Sequence, residues 1–130
     1  MGARVAGVPY PRGVFTEVSR VVHAAALDDA ELSPAPLPAD QVLAGAPEVG
    51  LVPLCAVDGL AVGIWQHGEG MSTDVEADEV FVVLAGRATI AVEGGPTLEV
   101  GPGDVGLLRA GARTVWTVHE PLRKVYLVRS

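Results

Sequence analysis

The sequence predicts an all-β fold, a small barrel or sandwich, and three observations carry that prediction. From Glu79 to Trp116, runs of Val, Leu and Ile are broken at short, near-regular intervals by Gly, Pro and Asp, so that each apolar run is the length of a strand and each gap has turn chemistry. No repeat of helical period accompanies them, which argues against a helical or βαβ fold. At 130 residues and 49% hydrophobic, the chain has material for one core and one domain without disulfide staples.

Taken in order, the first residues carry Gly2, Pro9, Pro11 and Gly13 with few periodic apolar positions and read as an extended arm. Glu17–His23 alternates and is expected as a first strand. The prolines at 34, 36 and 38 impose an extended run unfit for a central strand. Ala39–Ala44, with Pro38 before it and Gly45 after it, predicts a helical turn or two. Leu51–Val57 and Leu60–His67 are strands joined by Asp58-Gly59, a dipeptide suited to a tight hairpin. The stretch from Glu69 to Glu79 reads as an acidic loop. Strands then follow at Glu79–Leu84, Ala88–Glu93, Thr97–Val100, Val105–Leu108, Thr114–Val118 and Leu122–Val128. The expected organisation is a single domain over 1–130, with an arm and first strand in 1–50 and the barrel in 51–130.

Charge and composition narrow the function classes. Nine basic against sixteen acidic residues give a net charge of −7, which disfavours nucleic acid and anionic membrane as partners. No run approaches the ~20 apolar residues of a membrane span, and the N-terminus lacks a signal-peptide core. The single cysteine, Cys55, has no intramolecular partner and fits a reducing compartment. A cytoplasmic location is expected. Cys55 itself reads as a small core residue.

Glu79 is the first candidate for chemistry. It opens a strand whose two faces are both apolar, Phe81 and Val83 on its own side and Val80 and Val82 on the other. A carboxylate so placed is expected inside, where it must be paired, metal-bound or protonated.

Glu79, Gly86, Gly103 and Gly111 together resemble the two-motif pattern of the cupins, G-x5-H-x-H-x3,4-E-x6-G and G-x5-P-x-G-x2-H-x3-N. The resemblance implies a double-stranded β-helix, or jelly-roll, barrel. The histidine positions of the first motif are occupied by Ser72 and Asp74, or by Thr73 and Val75 in the shorter spacing. The second motif has Arg109 at its proline, Thr114 at its histidine and Val118 at its asparagine. With every imidazole ligand replaced, the family's metal site is expected to be absent, and no cofactor is expected. A hard-oxygen set of Glu79, Asp74, Ser72 and Thr114 leaves only weak Mg or Ca binding open, since Zn, Fe and Cu favour imidazole or thiolate. Gly63-Ile64-Trp65, Gly70, Trp116 and Arg123-Lys124-x-Tyr126 further resemble the small cupins related to the ethanolamine-utilisation barrel domain, over roughly residues 50–128.

If Thr114 faces inward, so does Trp116, two residues on, offering a flat apolar surface and one N–H donor. Trp65 lines the same cavity or a subunit contact. Lys124 and Tyr126 share a face of the last strand, and Lys124 either snorkels outward or reaches Glu79. His67, in phase with Trp65, is a candidate acid/base at the barrel mouth. His119 is expected at a solvated turn, and Arg109 and Arg113 as surface groups or an anion clamp at the rim. No spacing suggests a Ser-His-Asp or Cys-His arrangement.

Three readings follow. One is a small-molecule-binding cupin without the histidine metal site, accessory to small-molecule metabolism, with Trp65, Thr114 and Trp116 as ligand contacts. The second is a metal-independent isomerase, epimerase or lyase using Glu79 with Lys124, Tyr126 or His67. The third is a structural barrel with a filled core. The N-terminal arm and the edge strands predict a homodimer.

Overall fold

The computed structural model describes residues 19–23 and 32–129. Those residues form nine strands: β1 Ser33–Pro34, β2 Val42–Ala44, β3 Val49–Val57, β4 Leu60–His67, β5 Gly70–Val75, β6 Asp78–Val92, β7 Thr97–Val100, β8 Val105–Leu108 and β9 Arg113–Arg129. One 3₁₀ turn, Ala39–Gln41, precedes β2.

The architecture hangs on β6 and β9. They pair antiparallel from Asp78↔Arg129 to Val92↔Thr114, with register shifts between Val83 and Ala88. These bulges divide both strands into two halves, each belonging to a different sheet. Sheet I is β1, β3, β4, the second half of β9, the first half of β6, then β8. Sheet II is β2, β5, the first half of β9, the second half of β6, then β7. Their inner faces meet: Trp116 of sheet II packs edge-on against Trp65 of sheet I at 5.9 Å and lies 5.9 Å from Phe81. The core runs through both, from Leu51, Phe81, Leu122 and Val128 to Ala88, Ile90 and Val118. The result is the jelly-roll barrel that the sequence predicts.

At the bend, Gly86 has φ +88°, and a Cβ there would lie 2.0 Å from the Pro121 carbonyl oxygen. Only glycine permits that approach, so the chain folds over here without breaking. This is why the expected strands 79–84 and 88–93 are one strand, as are 114–118 and 122–128. His119 accordingly lies within β9, where it is exposed and its Nε2 is 2.8 Å from Thr89 Oγ1.

Elsewhere the turn chemistry behaves as expected. Asp58 and Gly59 both have positive φ, 48° and 79°, and close the β3–β4 hairpin. The proline run contributes only the two-residue edge strand β1.

Four expectations are corrected. Gly70–Val75 is a strand, β5, not a loop; its polar residues Ser72 and Asp74 are buried beside Trp116 and Thr114 of β9. The helical turns expected over Ala39–Ala44 reduce to the 3₁₀ turn, and Val42–Ala44 instead pairs with β5. Ser19–His23 are exposed and outside any strand, while Glu17 and Val18, like the arm over 1–14, lie outside the described residues. Cys55 is only half-buried and does not join the core, because the bulge between Pro53 and Cys55 shifts the register of β3. Burial raises the Cys55 thiol pKa, partly offset by Arg20.

Candidate functional site

The bore of the barrel holds an unusual share of polar side chains. His67, Ser72, Asp74, Glu76, Glu79, Thr114 and Lys124 are all buried, and buried groups of this kind need partners. Six of the seven form three clusters, while Asp74 Oδ1 accepts from the Val75 N–H at 2.8 Å.

In the first cluster, Glu79 and Lys124 point inward from adjacent strands of sheet I. Lys124 Nζ lies 2.6 Å from Glu79 Oε2, and the two side chains are 1% and 0% exposed. The ammonium also sits 4.6 Å from the Trp65 ring, 4.6 Å from Phe81 and 4.8 Å from Trp116. Lys124 therefore does not snorkel outward: the carboxylate and the three ring faces stabilise its charge inside. Phe81 takes its place in this box because Gly106 lies beneath it; a Cβ at that position would be 2.0 Å from the ring. The other oxygen, Glu79 Oε1, is buried without a hydrogen-bond partner among the described residues. Tyr126, on the same strand face as Lys124, is buried, and its ring covers Gly63.

The second cluster joins the two sheets. His67 Nδ1 is 2.6 Å from the Gly68 carbonyl and Nε2 is 2.9 Å from Ser72 Oγ. A carbonyl only accepts, so Nδ1 carries the proton. In the neutral ring, Nε2 then accepts from the Ser72 hydroxyl. Burial lowers the His67 pKa; the Gly68 carbonyl pulls it back up and the Lys124 charge pushes it down again. The imidazole is thus held neutral. The pairing is absent from any sequence pattern, because it depends on β5 being a strand and on the tight Gly68–Gly70 connection that brings residue 72 back to residue 67.

In the third cluster, Glu76 Oε2 accepts from Thr114 Oγ1 at 2.6 Å and from Trp116 Nε1 at 3.0 Å. Burial pushes the Glu76 carboxyl up, while these donors favour its charged form. Thr114 and Trp116 do face inward, but their polar atoms are engaged by Glu76, a residue of the stretch expected as loop. The signal available in the sequence was a carboxylate two residues beyond Asp74 in strand phase with it.

Of the rim residues, Arg113 lines a cleft together with Thr114 of the third cluster. Arg109 is exposed and pairs with Asp78 at 3.3 Å, and Arg113 is exposed at the start of β9. The Asp78 carboxyl lies below its usual range, held there first by the Ala110 N–H. Two clefts of about 480 Å3 are walled by described residues, one by Pro34, Pro36, Pro47 and Glu48, the other by Gln41, Thr73, Asp74, Glu93, Arg113 and Thr114; neither is lined by Glu79 or Lys124.

The donor set does not suit the transition metal of the histidine-bearing pattern. Glu79 is held by an ammonium, the Ser72 hydroxyl by His67, and Thr114 by Glu76. Among the described residues, no three His, Cys, Asp or Glu side chains converge as a metal site would require. Among those residues, too, no helix is long and apolar enough to cross a membrane.

Comparison with known proteins places the chain. The family described as EutQ-like cupin domain matches residues 56–126, more than half of it. The chain resembles the ethanolamine utilization protein EutQ of Salmonella typhimurium at 24% identity and TM-score 0.56, covering 63% of this chain and 69% of that one. It resembles the EutQ protein of Clostridium difficile at 18% identity and TM-score 0.57, covering 65% and 69%. A DUF861 protein of unknown function from Pseudomonas syringae aligns at TM-score 0.67 and 24% identity, over 75% of this chain but 43% of that longer one. At these identities the solved structures establish the fold alone. No curated protein matches the chain.

Proposed function

The chain belongs to the EutQ-like cupin family, and on that premise we propose that its bore binds a small polar molecule without the histidine metal site, in an accessory role in small-molecule metabolism. The observation that carries this reading is the buried Glu79–Lys124 pair with Glu79 Oε1 left unpartnered beneath aromatic rings. A buried acceptor without a donor costs about 1–3 kcal/mol. A ligand hydroxyl or amine that reached Oε1 would recover that cost. Lys124, with three donors and one carboxylate partner, favours an acceptor on the same ligand. Trp65 and Trp116 supply flat apolar surface for its body. The class that fits is a small hydroxy- or amino-carboxylate, or a sugar acid. Because Trp116, His67 and Ser72 have no exposed surface, binding requires the bore to open.

A second reading, metal-independent acid/base catalysis, draws on the same pair. A carboxylate and an ammonium 2.6 Å apart share a proton path, and neutral His67 is a base within the same interior. An isomerase, epimerase or lyase would use Glu79 with Lys124, His67 or Tyr126.

A thermal-shift screen of small carboxylates and sugar acids tests the first reading. A true ligand at about 100 times its Kd stabilises the wild type by ~2.7 kcal/mol. The Glu79→Gln variant replaces the acceptor oxygens with an amide and should lose most of that shift. Equal shifts in both proteins would place the ligand outside the bore and end this reading.

A further inference from the structure

The cleft bounded by Gln41 and Arg113 lies over the end of sheet II farthest from the Gly86 bend. Strand alternation decides which side chains face it. Thr73 and Val75 alternate with the buried Ser72 and Asp74, and Arg113 and Val115 with the buried Thr114 and Trp116, so these four turn outward. Pairing sets Thr73 beside Val115 and Val75 beside Arg113. β6 adds Ala91 next to Val115, and the Glu93 N–H bonds the Arg113 carbonyl at 2.8 Å. Val75, Ala91 and Val115 thus form an apolar floor, with Arg113 and Glu93 toward β6 and the Gln41 amide on the side of β5.

Two polar groups of this cleft lack the partners their chemistry calls for. Arg109 is engaged by Asp78 at 3.3 Å, but no carboxylate among the described residues lies within ion-pair reach of Arg113. Gln41 Oε1 is buried and accepts no hydrogen bond among the same residues. Buried acceptors without a donor are uncommon. Gln41 as a whole is only half-buried, so rotation about its last torsion turns the amide oxygen into the cleft.

We propose that this cleft is a second binding site, outside the bore, for a small monocarboxylate that carries an N–H donor. The Arg113 guanidinium takes the carboxylate through two parallel N–H···O bonds, a geometry that lysine does not offer. The ligand N–H reaches Gln41 Oε1, and the body between them lies on the apolar floor. Glu93 limits the charge, because a dianion would bring its second negative group against this carboxylate. A volume of about 480 Å3 falls within the usual range of small-molecule sites. The site uses outward-facing strand residues and does not rest on the Glu79–Lys124 pair.

Backbone-amide NMR on the isotope-labelled full chain tests the proposal, with N-acetylglycine as the probe. The wild type is expected to bind it saturably, with a Kd on the order of 1 mM and shifts centred on Val75, Glu93 and Arg113. Arg113→Gln should weaken binding by about tenfold or more, and Arg113→Lys by less. Arg109→Gln removes an exposed arginine outside the cleft and should leave binding unchanged. N-acetylsarcosine, whose methylated nitrogen has no N–H, should bind the wild type about fivefold more weakly. Gln41→Leu should bind the two probes alike. Unchanged shifts elsewhere in the spectrum report an intact fold in each variant. Absence of saturable shifts in the wild type overturns the proposal, as does equal binding by the wild type and Arg113→Gln, or a response centred on Lys124 in the bore. Equal affinity of the wild type for both probes overturns the requirement for an N–H donor.

Discussion

Sheets I and II are cut from the same two strands, yet they turn different chemistry outward. In sheet II the outer row across β7, β6, β9 and β5 is Glu99, Thr89, Thr117 and Met71, with Thr89 Oγ1 hydrogen-bonded to Glu99 at 2.8 Å. Its inner face carries Ala88, Ile90, Trp116 and Val118. Ser72, Asp74 and Thr114 are buried on the same side, so sheet II has a polar outer row and a mixed inner face. Sheet I puts Val80 and Val82 outside and Glu79 and Lys124 inside. Inverted polarity of this kind has no benefit for folding alone, since a solvated valine row and a buried ion pair are each less favourable than the reverse arrangement. The buried pair therefore makes sheet I the half of the barrel on which the proposed function rests.

The largest expected effect comes from breaking the inner charge. Lys124→Met removes the cation but keeps a side chain that fills the aromatic box, and leaves Glu79 as a buried carboxylate without its partner. Truncating one member of a buried pair costs about 3–5 kcal/mol. Combining Lys124→Met with Glu79→Gln removes both charges and should recover most of that loss, because desolvating the pair offsets much of its attraction. Urea unfolding of the two single variants and the double variant gives the coupling. If Lys124→Met alone is within 1 kcal/mol of the wild type, on the scale of an exposed ion pair, the pair is not buried in solution and the contrast between the sheets fails.

Much of this contrast was legible before the fold was known. Two apolar faces on one strand required Glu79 to be buried, and Asp58-Gly59 required a hairpin. What hid the rest was the bore's own polarity. Ser72, Thr73, Asp74 and Glu76 read as loop because strand prediction expects one face to be apolar, and β5 directs Ser72 and Asp74 into a polar interior. The Glu79–Lys124 pair spans 45 positions of sequence, and the alternative of a snorkelling lysine is decided only by the ring faces of Trp65, Phe81 and Trp116. The continuity of β6 and β9 was masked by Gly86 and Pro121, which look like strand ends and act as a bend.

A smaller effect sharpens the seam where the sheets meet. His67 bridges them through Ser72, and burial lowers its pKa, so the unfolded chain binds this proton more readily than the folded one. The stability contributed by the neutral ring is therefore complete above the unfolded value of about 6.5 and declines as pH falls through it, with a limiting slope of ~1.4 kcal/mol per pH unit. His67→Gln, which cannot gain a proton, should flatten that decline. Urea midpoints at pH 7.5 and 5.5 give the comparison, and the wild type is expected to lose more stability than the variant between them. Parallel profiles would mean that His67 titrates normally and that the seam is open to water.

The smallest effect belongs to the outer face of sheet II, and its smallness carries the argument. Thr89→Val removes a hydroxyl bonded to Glu99 and close to His119, all at an exposed site. Water replaces such bonds readily, and valine's strand propensity compensates for part of what is lost, so the expected change is within ±0.5 kcal/mol. The substitution also makes the outer row of sheet II one step more like that of sheet I. If a single valine there promoted self-association in sedimentation velocity, adhesion would follow from any added apolar side chain. No change in association would show that a single exposed valine is ordinary protein surface, which isolated apolar side chains usually are.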